Sequence, residues 1–300
     1  VEQTIVQTGA GPVAVRRTAR ESAPDAVATL LLHGAAGSWT TWLPMISAAS
    51  ADQGGAVPDL VVPDLPGWGD SSAEVATLDA EVLARASVEV MRALGYRRWR
   101  VVGHSLGGFV ALELAAQEPD ATESVVLVSG TTFGGRADAL GPLRLFASAA
   151  PLLLLGVGMR VLAALGPRGP RLVRWLERAG VLAVLAAPLF ARRVPGVVHE
   201  LARDLRPAAF ARALACARRY PAAGRWGRIH CPVLAIRGRR DVFVPAADHR
   251  RLARIVPRLR SVTLPATGHF AHVEHPSLVA RLALTDSAWP VSGARASVGA

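Results

Sequence analysis

Five residues, Gly103-His104-Ser105-Leu106-Gly107, constrain this chain more than any other stretch. An apolar run from Trp99 to Val102 leads into them, and a helical pattern from Phe109 to Ala115 follows. Strand, tight turn and helix in that order hold a serine at a sharp bend, with glycines where a β-carbon would obstruct the turn. Such a bend lifts the Ser105 hydroxyl above the edge of a sheet, where a base can reach it.

The rest of the chain supplies that sheet. Val13 to Val15, Val27 to Leu32, Leu60 to Pro63, Arg98 to Val102 and Glu123 to Val128 read as strands. Helices are expected from about Trp39 to Ala49 and over most of Ser72 to Leu94. Short apolar strands alternating with helices imply an α/β fold with a mostly parallel central sheet flanked by helices. The alternation stops at Phe133 and resumes at Pro232 to Ile236, with a further strand at Val262 to Leu264. Between them lie helical patterns punctuated by Gly-Pro pairs. Residues 1–130 and 226–285 therefore form the α/β core, 131–225 a helical cap insertion, and 286–300 a disordered tail rich in small residues.

Charge marks the same boundary. The chain has no lysine, and all 34 basic residues are arginine, giving a formal net charge of +11. Residues 131–225 hold fifteen of those arginines but only four acidic residues, Asp138, Glu177, Glu200 and Asp204. The remainder is balanced, so the whole excess belongs to the insertion. Two of its stretches, Leu145 to Met159 and Ala179 to Ala191, carry no charge and are flanked by arginines. Both fall short of the ~18 residues that suggest a membrane span. They fit a lid whose apolar faces pack on the core and line a pocket, or a lid that also meets anionic lipid. Nucleic-acid binding is not expected, because the charge lies among apolar helices without a binding motif.

A serine hydroxyl needs a base, and the base a carboxylate to orient it. Asp241 follows the strand Val233 to Ile236, and His269 follows the last strand, in Thr267-Gly268-His269-Phe270. Ser105, Asp241 and His269 stand in the chain order this chemistry takes on a parallel sheet, each just past a strand. Developing oxyanion charge needs fixed N–H donors. The Leu106 N–H, at a helix start, is one. The loop His33-Gly34-Ala35-Ala36-Gly37 supplies the other at Ala35. Trp39, Trp42 and Trp68 are candidates for an acyl pocket or for core packing, and Phe270 joins Trp42 and Trp68 as a candidate substrate contact. His33, His104, His272 and His275 read as structural, and Asp64 as the anchor of its own loop. Arg160 and Arg171 read as exposed lid arginines. Cys216 and Cys231 are expected to be free thiols. No zinc pattern occurs and no metal or organic cofactor is implied. The N-terminus shows no charged-then-apolar signal pattern, so a cytoplasmic location is expected.

Taken together, His33-Gly34, Asp64-Leu65-Pro66-Gly67-Trp68-Gly69-Asp70-Ser71, Gly103 to Gly108, Gly238 to Asp241, Gly268-His269 and Glu274-His275-Pro276 resemble the α/β-hydrolase superfamily, in its branch with a helical cap after the sixth strand. The resemblance implies a serine hydrolase acting through an acyl-enzyme, with an ester of a hydrophobic acyl group as substrate. Ser105 separates the chain from dehalogenases and epoxide hydrolases of this branch, which carry Asp at the bend. Carbon–carbon bond hydrolases typically have Asn-Ser-Met-Gly there and Trp after the catalytic His; here stand His104, Leu106 and Phe270. That reading, a thioesterase, a cofactor-free cyclase or lyase, and a non-enzymatic binding module remain as alternatives. Oligomeric state is not legible in the sequence.

Overall fold

The computed structural model describes residues 1–19, 26–133 and 142–284, the last span with its side chains from 151 onward. Its strands are β1 (Glu2–Thr8), β2 (Gly11–Arg17), β3 (Ala28–Leu32), β4 (Leu60–Pro63), β5 (Trp99–His104), β6 (Thr122–Val128), β7 (Val233–Gly238) and β8 (Leu259–Leu264). They form one eight-stranded sheet in the order β1-β2-β4-β3-β5-β6-β7-β8. β1, β2 and β4 pair antiparallel; every pairing from β4 through β3 to β8 is parallel. The fold class read from the sequence is the one observed.

The strand patterns explain why both faces are covered. Leu30 and Leu32 of β3 point into one apolar layer and Leu31 into the other. On β6, Val125 and Leu127 face the first layer, Val126 and Val128 the second. This is the two-residue period of a strand with apolar residues on both sides, which only a sheet buried on both faces accommodates. Helices α2 (Ala80–Ala93) and α3 (Leu106–Gln117) pack on the first face. α1 (Leu43–Gln53) and the last described helix, Pro276–Leu284, pack on the second.

Two local expectations need amendment, and one strand was not anticipated. A 3₁₀ turn, Trp39–Trp42, capped by the Ser38 side chain, precedes α1. The segment from Ser72 is not helical until Ala80, apart from a turn at Val75–Thr77. Asp79 stops the helix from starting earlier, because its extended backbone and its carboxylate, which accepts from the Val82 N–H at 2.9 Å, make it an N-cap. β1 was not legible, being an exposed edge strand held by its hairpin with β2 rather than by burial.

Between β6 and β7 stand α4 (Pro142–Ala164), α5 (Arg168–Arg178), α6 (Val181–Ala186), α7 (Val197–Asp204), α8 (Pro207–Ala217) and α9 (Ala222–Trp226). No strand interrupts this insertion among the described residues. The tail expected at 286–300 lies outside the described residues. The insertion returns to the core through a buried charge cluster. Glu113 of α3 is inaccessible and accepts from Tyr220 Oη and from the Arg225 guanidinium. A carboxylate so deep in a helix that is buried all round demands such a partner.

Candidate active site

Every parallel strand ends on the same edge of the sheet, and the loops that follow β3, β5, β7 and β8 meet there. Ser105 occupies the bend after β5 with φ 50° and ψ −114°, a conformation that side chains rarely take. The flanking glycines are required by close approach. A β-carbon on Gly103 would stand 2.2 Å from the Gly107 carbonyl oxygen, and one on Gly107 2.1 Å from the Leu32 carbonyl oxygen. The Ser105 carbonyl accepts from the N–H groups of Gly108, Phe109 and Thr131, which fixes the bend against the start of the cap connection.

His269 and Asp241 are joined. His269 Nδ1 donates to the Asp241 carboxylate at 3.0 and 3.1 Å from its two oxygens. Asp241 also accepts from the Phe243 and Val244 N–H groups at 2.9 and 3.1 Å. Burial alone would raise its carboxyl, but facing His269 and these donors outweigh burial and hold it below its ordinary value. The two loops are stitched together by backbone. Gly238 packs so closely on Thr267 that a β-carbon would stand 2.2 Å from its carbonyl, and the Arg240 N–H donates to the same oxygen at 2.9 Å. Among the described residues no hydrogen bond joins Ser105 Oγ to His269. Contacts of this kind commonly tighten only when substrate is bound.

A stack of histidine rings supports His269 from below. The His104 ring lies 5.0 Å from that of His269 and 4.4 Å from that of His272, which in turn packs 4.5 Å from Trp42. His104 Nε2–H donates to the His269 carbonyl at 3.1 Å. Burial, then the neighbouring His272 and His269, hold His104 well below its ordinary value, and burial pushes His272 down to about 3. Burial thus disfavours a charge on either ring. Trp42 lies in the core with no exposed surface.

The loop after β3 is held by its neighbours. His33 Nδ1–H donates to the Gly34 carbonyl at 2.9 Å, and its Nε2 accepts from the Leu65 N–H at 2.9 Å. Asp64 bonds Arg16 at 2.5 Å and accepts from the Trp39 and Asp70 N–H groups at 2.9 Å, so it anchors its loop as the sequence suggested. The Trp68 ring is fully buried, and its Nε1–H donates to the Ala35 carbonyl at 2.8 Å. Trp68 thus braces the Ala35 peptide from inside the core and offers no surface to a pocket. Neither the Ala35 nor the Leu106 N–H is spent on a backbone hydrogen bond among the described residues. Leu106 opens α3, where helix N–H groups have no partner within the helix.

The cap closes on these loops at points that sequence reasoning did not find. The His269 N–H donates to the Leu189 carbonyl at 2.7 Å. Phe190 stacks on Phe270, with ring centres 5.0 Å apart. Buried Glu274 accepts from the Gly268 N–H and from the Ala191 N–H of the cap, both at 2.8 Å. Asp204 of α7 accepts from Ser38 Oγ and, at 3.0 Å, from Thr40 Oγ1, tying the cap to the segment after the Ala35 loop. Glu274 had been noted only as part of a motif. Phe270 lies with Leu189, Phe190, Val197 and Leu201 in a small apolar cluster between cap and core. Arg160 and Arg171 are exposed on α4 and α5. Cys216 and Cys231 are free thiols. Among the described residues no group of three metal-ligating side chains occurs.

Three comparisons with known proteins bear on this site. A sequence model of the alpha/beta hydrolase family matches residues 29–282. The putative carbamate hydrolase RutD of Pseudomonas savastanoi pv. phaseolicola is 27% identical over 253 residues, covering 84% of this chain and 90% of that protein. A 2-hydroxy-6-oxononadienedioate/2-hydroxy-6-oxononatrienedioate hydrolase of Burkholderia vietnamiensis is 28% identical over 261 residues, 86% of this chain and 85% of its own length. Among solved structures, a thermophilic esterase from Thermogutta terrifontis superposes with a TM-score of 0.68 at 21% identity, over 94% of this chain and 96% of that one.

Proposed function

The chain is a hydrolase of the alpha/beta hydrolase family, and from that premise we propose that it cleaves a carboxylic ester of an apolar substrate through an acyl-enzyme on Ser105. The hydrogen-bonded His269–Asp241 pair, set on the sheet edge that also carries the Ser105 bend, is the observation that supports this reading best.

His269 Nε2 takes the Ser105 proton as Oγ attacks the substrate carbonyl. The Ala35 and Leu106 N–H groups receive the developing oxyanion. His269, now charged and facing Asp241, gives its proton to the leaving alkoxide. Water then attacks the acyl carbonyl, with His269 as base, and returns Ser105 to its free form. Preference for an apolar acyl group follows from the Phe270, Phe190 and Leu189 cluster beside His269.

Likeness to the Burkholderia vietnamiensis protein favours a second reading, carbon–carbon bond hydrolysis with the same three residues. The test is hydrolysis of p-nitrophenyl esters from acetyl to palmitoyl by wild type and Ser105→Ala, with a vinylogous 1,5-diketone and a carbamate alongside. Turnover that rises with acyl length and vanishes in the variant is the expected result. Turnover of the diketone or the carbamate alone would overturn the ester reading.

A further inference from the structure

The outer face of the cap is apolar where a surface helix is ordinarily polar. Along α4 and just past its end, Leu154, Val157, Val161 and Leu165 recur every three or four residues, and all four face solvent, Leu154 at 71% exposure. Trp175 of α5 is 61% exposed, and Val184 of α6 is 74% exposed beside Leu185. Nine of the thirteen large apolar side chains that are exposed among the described residues fall between Leu154 and Leu185. The face is therefore concentrated rather than scattered, which marks an interaction surface.

Its charge identifies the partner. Arg160, Arg168, Arg171, Arg174 and Arg178 are all exposed within the same stretch. Arg171, Arg174 and Arg178 form one stripe along α5, next to Leu172 and Trp175. The single acid there, Glu177, faces His199 at 3.3 Å. A second copy of this chain would bring two strongly positive faces together. An anionic bilayer accepts both features, with arginines at the phosphates and Trp175 and the aliphatic side chains in the headgroup region.

We infer that the cap docks on an anionic lipid surface through the exposed faces of α4, α5 and α6. No helix among the described residues is long and apolar enough to cross a membrane, so the contact is interfacial. Only three residues separate Leu185 from Leu189, whose carbonyl accepts from the His269 N–H, so the docking face adjoins along the chain the segment that meets the site. The inference stands on exposure and charge and does not depend on which bond the site cleaves.

The experiment is co-sedimentation of the full chain with phosphatidylcholine vesicles, with and without 40% phosphatidylglycerol, at 0.1 and 0.5 M salt. Docking predicts at least ten-fold stronger partition onto the anionic vesicles, lost at high salt. Arg171→Glu with Arg174→Glu abolishes the preference. Trp175→Ala with Leu185→Ser weakens binding at least five-fold. Both variants keep the thermal midpoint of wild type, which separates lost docking from lost folding. A variant pair that unfolds is replaced by Leu154→Ser with Val161→Ser. Equal partition onto both vesicle types, or binding that neither pair changes, overturns the inference. So does a wild-type dimer by light scattering that the apolar substitutions convert to monomer.

Discussion

The indole N–H of Trp68 donates to the carbonyl of Ala35 across 2.8 Å, wholly inside the core. This bond fixes the Ala35–Ala36 peptide, and through the Ala35 backbone it steadies the adjoining Gly34–Ala35 peptide, whose N–H is proposed to receive the oxyanion. It makes Trp68 a positioning residue. Trp68→Phe keeps an aromatic ring in the core, though a smaller one, and removes the donor. The expected outcome is a fall in kcat of about 10-fold, the equivalent of one net hydrogen bond. KM should change less than two-fold, since the substrate does not touch the indole. Steady-state kinetics on a soluble ester separates the two. An equal rise in KM with kcat unchanged would show that Trp68 lines the pocket instead.

Ser105 sits at φ 50°, so chemistry and backbone strain can be separated by two variants. Ser105→Ala and Ser105→Gly should both lose activity by about 10⁴-fold or more. Ser105→Gly should nevertheless be more stable than Ser105→Ala by about 1 kcal/mol, because glycine takes the bend without a β-carbon penalty. Urea denaturation of the two proteins measures the difference.

Asp241→Asn keeps the shape of the orienting group but removes its charge and invites the wrong His269 tautomer. By the precedent of serine proteases, kcat should drop about 10⁴-fold with folding intact. A loss below ten-fold would remove Asp241 from the proposed triad.

Asp248, on α10 (Ala246–Leu252), is buried and holds the start of the cap connection, facing the Thr132 hydroxyl and the Phe133 N–H at 3.4 Å. Burial raises its carboxyl to about 6, with Asp241 adding to the rise and Arg251 opposing it. A carboxyl raised on folding favours the native state when protonated. Stability from this group is therefore full below pH 3.8 and lost as pH rises through about 6. Asp248→Asn mimics the protonated form. It should be more stable than wild type at pH 8, by up to ~3 kcal/mol for a shift of about two units, and equal to it near pH 4. Chemical denaturation at the two pH values checks the sign.

His272 carries the opposite sign. Burial pushes it down to about 3, and neither ring nitrogen finds a hydrogen-bond partner among the described residues. The unfolded chain binds its proton near pH 6.5 and the native state does not. Wild type should lose about 1.4 kcal/mol per pH unit from this residue as pH falls below 6.5. His272→Phe removes that slope, fills the space beside Trp42 and should retain kcat within three-fold. A variant whose acid unfolding midpoint matches wild type would show that His272 is solvated in the native state.

The sequence alone determined the alternation of strands and helices, the place of the insertion and the chain order Ser105, Asp241, His269. These are local signals: a two-residue apolar period, a glycine-flanked bend, a residue just past a strand. The parallel sheet then brings the strand ends together, so their loops meet whatever the intervening sequence. What each side chain does at that edge was settled only by packing. Trp42 and Trp68 stood equally for pocket and core until burial placed both in the core. Glu274 bonds a backbone N–H 83 residues away, and nothing local in Glu-His-Pro announces that partner. The exposed strand β1 lacks the apolar pattern that would have revealed it, because its hydrogen bonds to β2 replace burial. The apolar stripe of α4 was visible as composition. That its Leu154–Val161 face points to solvent is a property of how α4 packs, since helix periodicity defines a face but not which way it turns.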